Sequence, residues 1–161
     1  MKITLFGASG ALGSECLRQA LAAGHELTVL LRNPSKLPEA LRQQLHIVEG
    51  NALDAAKVAQ ALPAGTDAVL FAIGVDKHSP ENLCTDATRN IFAAMRSKQL
   101  TRFIWCGGGS TLVEEDRAGF GEKFVQRFSA IFLRLRHFDK EAQYQFLHAN
   151  RDIPWLGVRP L

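Results

Sequence analysis

The sequence predicts an α/β protein built on one doubly wound parallel sheet. Three observations carry that expectation. Short, almost wholly apolar runs alternate with stretches of helical periodicity, a glycine-rich turn joins the first run to the first helix, and the chain is the right size for one core. Of its 161 residues 47% are apolar, enough for a single core rather than two. Uninterrupted apolar strands point to burial on both faces, the condition of a parallel sheet covered by helices. Residues 1–161 are therefore read as one domain.

The elements follow in order. Ile3 to Phe6 is the first strand. Leu17, Ala20 and Leu21 recur at helical spacing, and Gly24 closes that helix. Leu27 to Leu31 is a strand broken only by Thr28. His46-Ile47-Val48 is a third strand. Ala56 to Leu62 is a short helix stopped by Pro63, and Ala68 to Ile73 is a fourth strand. Asn82 to Lys98 places Leu83, Ala87, Ile91 and Ala94 on one helix face. Phe103 to Cys106 is a fifth strand, a long helical region fills Phe120 to Asn150, and Ile153 to Val158 is a sixth strand. Pro154 lacks an N–H, which disfavours the start of that last run as a central strand. Right-handed crossovers then leave ligands at the carboxyl ends of the strands.

Composition excludes several classes. The charged fraction of 22% and the many large apolar residues argue against disorder. The net charge of +3, from 19 basic and 16 acidic residues, contains no basic run, so no nucleic acid is expected as partner. No apolar run reaches the roughly 18 residues of a membrane span, and the N-terminus meets Gly7 too soon for a signal peptide. Cys16, Cys84 and Cys106 form neither a CxxC pair nor a zinc spacing, and read as buried thiols in a reducing compartment, with the cytoplasm as default. The five histidines, His25, His46, His78, His137 and His148, show no metal-ligand spacing, so no metal is expected.

The first strand runs into Gly7-Ala8-Ser9-Gly10-Ala11-Leu12-Gly13, a GxxGxxG turn at the head of a βαβ unit. Gly7 permits a sharp exit from the strand. Gly10 has no side chain, so a pyrophosphate can approach the backbone. Gly13 lets the helix pack closely, and the helix's N–H groups and positive end face the phosphates.

With that turn, the chain resembles the extended and atypical short-chain dehydrogenase/reductases, a Rossmann family. Within it the chain is similar to the branch of NmrA-like regulators, biliverdin reductase B-like flavin reductases and epimerase-like NAD(P)-binding proteins. The likeness includes Val29-Leu30-Leu31-Arg32-Asn33-Pro34, Gly50-Asn51-Ala52-Leu53-Asp54, Ala87-Thr88-Arg89-Asn90-Ile91, Arg102-Phe103-Ile104-Trp105 and Trp155-Leu156-Gly157-Val158-Arg159-Pro160. The resemblance implies Gly7, Ser9, Gly10, Ala11, Leu12 and Gly13 at the cofactor phosphates. It places Asn51, with Ala52 and Leu53, beside the adenine. Ala72, Ile73 and Gly74 fall near the second ribose, where core packing and ligand contact are both open readings. It also implies further elements after the sixth strand to cover the substrate. The chain is thus either a short form or lacks that covering segment.

Dinucleotide-binding proteins that prefer NAD usually carry an acid at the end of the second strand. Here that place is Arg32, nineteen residues after Gly13. A guanidinium cannot accept from ribose hydroxyls, but it can donate two hydrogen bonds to a 2′-phosphate. Asn33 adds a donor and Lys36 a charge, so NADP(H) is expected over NAD(H).

Many short-chain dehydrogenases use a Ser, Tyr and Lys set, with Tyr four residues before Lys. Lys140 matches the lysine, as a candidate for the cofactor site and for catalysis, but Arg136 stands four before it. The sole tyrosine, Tyr144, is off that register. Gly107-Gly108-Gly109 occupies the serine place, and Ser110, a second catalytic candidate, follows with Thr111. The glycine run either brings N–H groups to the substrate or is only a loop. His78, in the loop from Val75 to Pro80, lies on the ligand side. Glu114-Glu115-Asp116 reads as an acidic helix start, and Phe120, Phe124, Phe128 and Phe132 form a stripe with Ile131 and Leu135. That stripe suits core packing, a homodimer seam or a pocket wall.

Hydride transfer to a carbonyl wants a proton donor, whereas transfer to a flavin, quinone or enone can draw its proton from solvent. The expectation is an NADPH-dependent reductase acting on such a small-molecule acceptor. A non-catalytic NADP(H)-sensing regulator is the alternative. Nucleotide-sugar epimerase or dehydratase action is disfavoured by the missing YxxxK.

Overall fold

Six strands form one parallel sheet: β1 (Lys2–Phe6), β2 (Glu26–Leu31), β3 (His46–Glu49), β4 (Ala68–Phe71), β5 (Phe103–Cys106) and β6 (Trp155–Val158). The computed structural model describes residues 1–107 and 134–158, with side chains over 1–107 and 138–158. In space the strands run β3-β2-β1-β4-β5-β6. The chain steps outward from β1 to β3, then crosses back to β4. Between β1 and β4 the order reverses, which opens a crevice at the carboxyl ends of both strands.

The helices are α1 (Ala11–Ala22), α2 (Glu39–Arg42), α3 (Ala55–Ala61), α4 (Leu83–Ser97) and α5 (Arg134–Ala149). Successive strand residues alternate between the two sheet faces. Leu5, Leu27, Val29 and Leu31 join Leu17 of α1 in one apolar layer. Phe6, Leu30, Val69, Phe71, Phe103 and Trp105 meet Val58, Ile91, Phe92 and Leu147 in the other, thicker layer. Burial on both faces explains why the central strands read as unbroken apolar runs.

Local signals end the elements where the physics requires. Gly24 follows α1 at a φ of +74°, the left-handed closure that glycine supplies without a Cβ clash. Asp54 caps α3 by accepting the N–H groups of Ala56 at 2.9 Å and Lys57 at 3.1 Å, and Pro63 lies just beyond the helix. All four apolar positions expected on the inner face of α4 are buried.

Some expectations need correction. The fourth strand ends at Phe71, two residues early; Ala72 stays in the apolar layer, and Ile73 and Gly74 line the crevice. The sixth strand begins at Trp155, after Pro154, whose missing N–H cannot join the ladder. Between β2 and β3 stand a 3-10 turn over Pro34–Lys36 and the short α2, neither legible from periodicity. The long helical region is helical over Arg134–Ala149. Gly108, Gly109, Ser110, Thr111, the acidic run at 114–116, and Phe120, Phe124, Phe128, Ile131 and Phe132 of the aromatic stripe lie outside the described residues. So does the side chain of Leu135. Among the described residues no helix is long and apolar enough to cross a membrane.

Candidate functional site

A cleft of about 640 Å³ opens at the carboxyl ends of β1, β2 and β4. Gly7, Ser9 and Gly10 form its floor beside the start of α1. Arg32, Asn33 and Lys36 line it after β2, and Gly50, Asn51 and Ala52 after β3. Ile73, Gly74, Val75 and Asp76 line it after β4, with Pro80 and Leu83 beyond.

The three turn glycines have different reasons to be glycine. Gly7 has a φ of +92°, and a Cβ there would lie 2.6 Å from the Ala72 backbone. A Cβ on Gly13 would lie 2.0 Å from the Gly7 carbonyl oxygen, so this residue sets how closely α1 seats on the turn. Gly10 differs. Its φ is −82°, open to any residue, and its Cβ would meet nothing nearer than Gly7 O at 3.4 Å. Gly74, also in the cleft wall, would have no atom within 4 Å of a Cβ. The chain's own packing requires neither of these two glycines. Both leave open space beside the backbone, and the cradle at Gly7 to Gly10 fits a dinucleotide pyrophosphate.

The mouth of α1 is built for an anion. Gly10 makes no side-chain cap, and the first turn of α1 carries no acid. The N–H groups of a helix's first turn have no partner within the helix, and its dipole favours negative charge there. Asn33 lines the cleft while its Oδ1 accepts from Ser35 N at 3.0 Å and Ser35 Oγ at 2.6 Å. That cap holds the 3-10 turn which carries Lys36 beside Arg32.

On the β3 side, Asn51 Oδ1 accepts from Leu53 N at 3.1 Å, shaping the turn. Asn90 of α4 donates to the Ala52 carbonyl at 3.1 Å, fixing Ala52 in the wall. Leu53 itself is not among the cleft-lining residues, nor are exposed Ala11 and Leu12, buried Gly13, or Ala72. Ala72 belongs to the apolar layer under α1. Of the two readings of Ala72-Ile73-Gly74, core packing suits Ala72, and exposure to the cleft suits Ile73 and Gly74.

Lys140 is not in the cleft lining. It lies buried behind the wall, its Nζ 3.1 Å from Gln143 Oε1, 3.4 Å from the Ile73 carbonyl and 3.5 Å from the Cys106 carbonyl. The ammonium stands 5.0 Å from the centre of the Phe71 ring. Gln143 Oε1 also accepts from Trp105 Nε1 at 2.8 Å, and Gln143 Nε2 donates to Thr88 Oγ1 at 2.7 Å. Asp139, one residue before Lys140, holds the start of α4. Its carboxylate accepts from Cys84 N at 2.7 Å, Thr85 N at 3.0 Å and Thr85 Oγ1 at 2.8 Å. Burial pushes the nearby Cys84 thiol up to about 12, so it stays protonated.

Tyr144 is buried and stacked on Trp105, ring centres 6.0 Å apart, and is not in the cleft lining. His78 is exposed, and its N–H donates to Asp76 Oδ1 at 2.8 Å. Asp76, Asp139 and Gln143 were not singled out by the sequence. Asp76 sat in a loop with no motif, and the other two are polar residues on a helix face that periodicity reads as solvent-facing. Among the described residues no group of three or more His, Cys, Asp or Glu side chains could hold a metal ion.

Comparison with known proteins agrees with this geometry. A family model described as NAD(P)H-binding matches residues 7–161, and the chain belongs to that family. It is 35% identical over 116 residues to the uncharacterized protein YwnB of Bacillus subtilis, covering 71% of this chain and 51% of that one. It is 34% identical to the reductase pytE of Aspergillus terreus, over 58% of this chain and 45% of that one. The chain thus spans about half the length of the curated relatives it matches. Among solved structures, the fold resembles ChuY, an anaerobillin reductase from Escherichia coli O157:H7. The TM-score is 0.75 at 21% identity, covering 99% of this chain and 72% of that one.

Proposed function

We propose that the cleft binds NADP(H) in preference to NAD(H), and that the chain acts as a cytoplasmic reductase. Arg32 carries the reading. It stands at the end of β2, where an acid would accept the ribose hydroxyls of NAD, and it lines the cleft together with Lys36 and Asn33. Two cations and an amide at that point suit a 2′-phosphate. The phosphates lie against Gly7, Ser9 and Gly10, the adenine beside Asn51 and Ala52, and the second ribose beside Ile73 and Gly74. Lys140 sets the backbone of that wall from behind.

Bound NADPH supplies a hydride. This chain's residues bind and orient it, and none of the described cleft residues is a tyrosine that could act as acid. The acceptor best suited to such a site is a flavin, quinone or enone, whose proton comes from solvent. The names of pytE and ChuY support a reductase. The buried Tyr144 equally suits a regulator that senses NADP(H) without turnover.

The test is a titration with NADPH and NADH, followed by an NADPH oxidation screen against flavins, quinones and enones. Tighter NADPH binding with turnover supports the reductase. Tight binding without turnover favours the sensor. Absence of dinucleotide binding overturns both.

A further inference from the structure

Arg32 is not the only charge on the cleft wall. Among the described lining residues the ionisable groups are Arg32, Lys36 and Asp76. The cations follow β2 and the acid follows β4, with β1 between those strands. The Asp76 carboxylate is fixed by its own turn. Oδ1 accepts from His78 N at 2.8 Å and Ser79 Oγ at 3.2 Å, and Asp76 N donates to Ser79 Oγ at 3.0 Å. Ser79 N closes the turn on the Asp76 carbonyl at 3.2 Å. Among the described residues Oδ2 has no hydrogen-bond partner.

We propose that Asp76 is a specificity-determining residue, supplying from the loop after β4 the acceptor that β2 lacks and so moderating the preference for the 2′-phosphate. The proposal rests on the reading of the cleft as a dinucleotide site. A carboxylate only accepts, so it can receive a ribose hydroxyl, which Arg32 cannot do. The same charge repels a 2′-phosphate held by Arg32. Arg32 and Asp76 line the same cleft. The Asp76 carboxyl is held below its ordinary range, first by the His78 N–H, then by Ser79, and in part by the His78 and Arg32 charges through space. In this arrangement Arg32 selects the phosphate and Asp76 keeps NADH within reach.

The test is Asp76→Asn, which keeps the shape and the turn acceptor while removing the charge. NADPH should bind roughly threefold to tenfold more tightly at low salt, a gain that shrinks as salt is raised. NADH should bind no better or more weakly. The ratio of the two dissociation constants is the readout, and circular dichroism checks that the variant folds. In an Arg32→Ala background the NADPH gain should persist, since the repulsion acts on the phosphate itself. An unchanged ratio, or equal changes for both cofactors, overturns the role of Asp76. Wild-type preference for NADH would overturn the reading of Arg32, yet the ratio would still have to shift in Asp76→Asn. Failure of the wild type to bind either dinucleotide overturns both.

Discussion

The carboxylate of Asp139, on α5, accepts the backbone N–H of Cys84, 55 residues earlier, at 2.7 Å and so caps the start of α4. The residue in the cap position, Asn82, is left-handed at a φ of 58° and offers no side-chain cap. A buried charged acceptor with three donors is costly to remove, because the donors cannot turn to water. Asp139→Ala should destabilise the protein by about 2–3 kcal/mol. Asp139→Asn should cost less, since an amide oxygen still accepts. Urea midpoints at constant slope measure both.

The glycine turn separates folding from binding. Gly13→Ala forces a Cβ to within 2.0 Å of the Gly7 carbonyl and should destabilise by about 3 kcal/mol. Gly10→Asp meets no such contact and should fold with a nearly unchanged melting temperature. Its carboxylate would face the pyrophosphate, so NADPH binding should be lost. A folded Gly10→Asp protein with full affinity would sink the site assignment.

If Arg32 holds a 2′-phosphate as proposed, Arg32→Ala removes one or two charge-assisted hydrogen bonds to it. Such bonds are worth roughly 1.5–3 kcal/mol each, reduced here by exposure and salt. NADPH should weaken by about tenfold, while NADH changes little. Paired titrations at one ionic strength decide it. Equal losses would mean that Arg32 only supports the fold or stacks on the adenine.

Tyr144→Phe should leave any reductase activity nearly unchanged, because the ring packs on Trp105 and Trp155 away from the cleft. A loss on the order of 100-fold, as expected for a missing general acid, would show that the phenol reaches the reacting atoms.

Asp152 ties the loop before β6 to α4. Arg96 Nε reaches Asp152 Oδ2 at 2.6 Å and Arg96 Nη2 reaches Oδ1 at 2.8 Å. The Arg96 guanidinium holds this carboxyl below its ordinary 3.8. A carboxyl whose pKa is depressed on folding stabilises at pH values above its unfolded pKa, and loses that contribution as pH falls through the folded one. The wild-type advantage over Asp152→Asn in thermal unfolding should therefore be full at pH 7 and fade below about pH 4.

The sequence made the strand ladder and the glycine turn legible because both are local. An apolar run, a glycine and a proline act on their own neighbourhood. The buried polar layer was not legible, since Asp139, Lys140 and Gln143 are charged or polar residues whose partners Cys84, Thr85, Thr88, Trp105 and Cys106 lie 34 to 55 positions away. Pattern reading treats such residues as solvated. Lys140 stands out in the sequence only through a family resemblance, which directs it at the cofactor; in the structure its ammonium lies 3.4 Å from the Ile73 carbonyl, 3.5 Å from the Cys106 carbonyl and 3.1 Å from Gln143 Oε1. Asp76 escaped because a loop acid carries no periodic signature.

Asp139 also bears on when the cleft is complete during synthesis. By the time Ser97 has left the ribosome, the glycine turn, Arg32, Ile73 and Asp76 are all available to fold. The start of α4, with Leu83 in the cleft wall, still lacks its anchor. That anchor arrives only with α5. A nascent chain stalled before α5 would hold the cleft-lining residues in an unfinished wall. Cofactor capture would therefore report that α5 has docked.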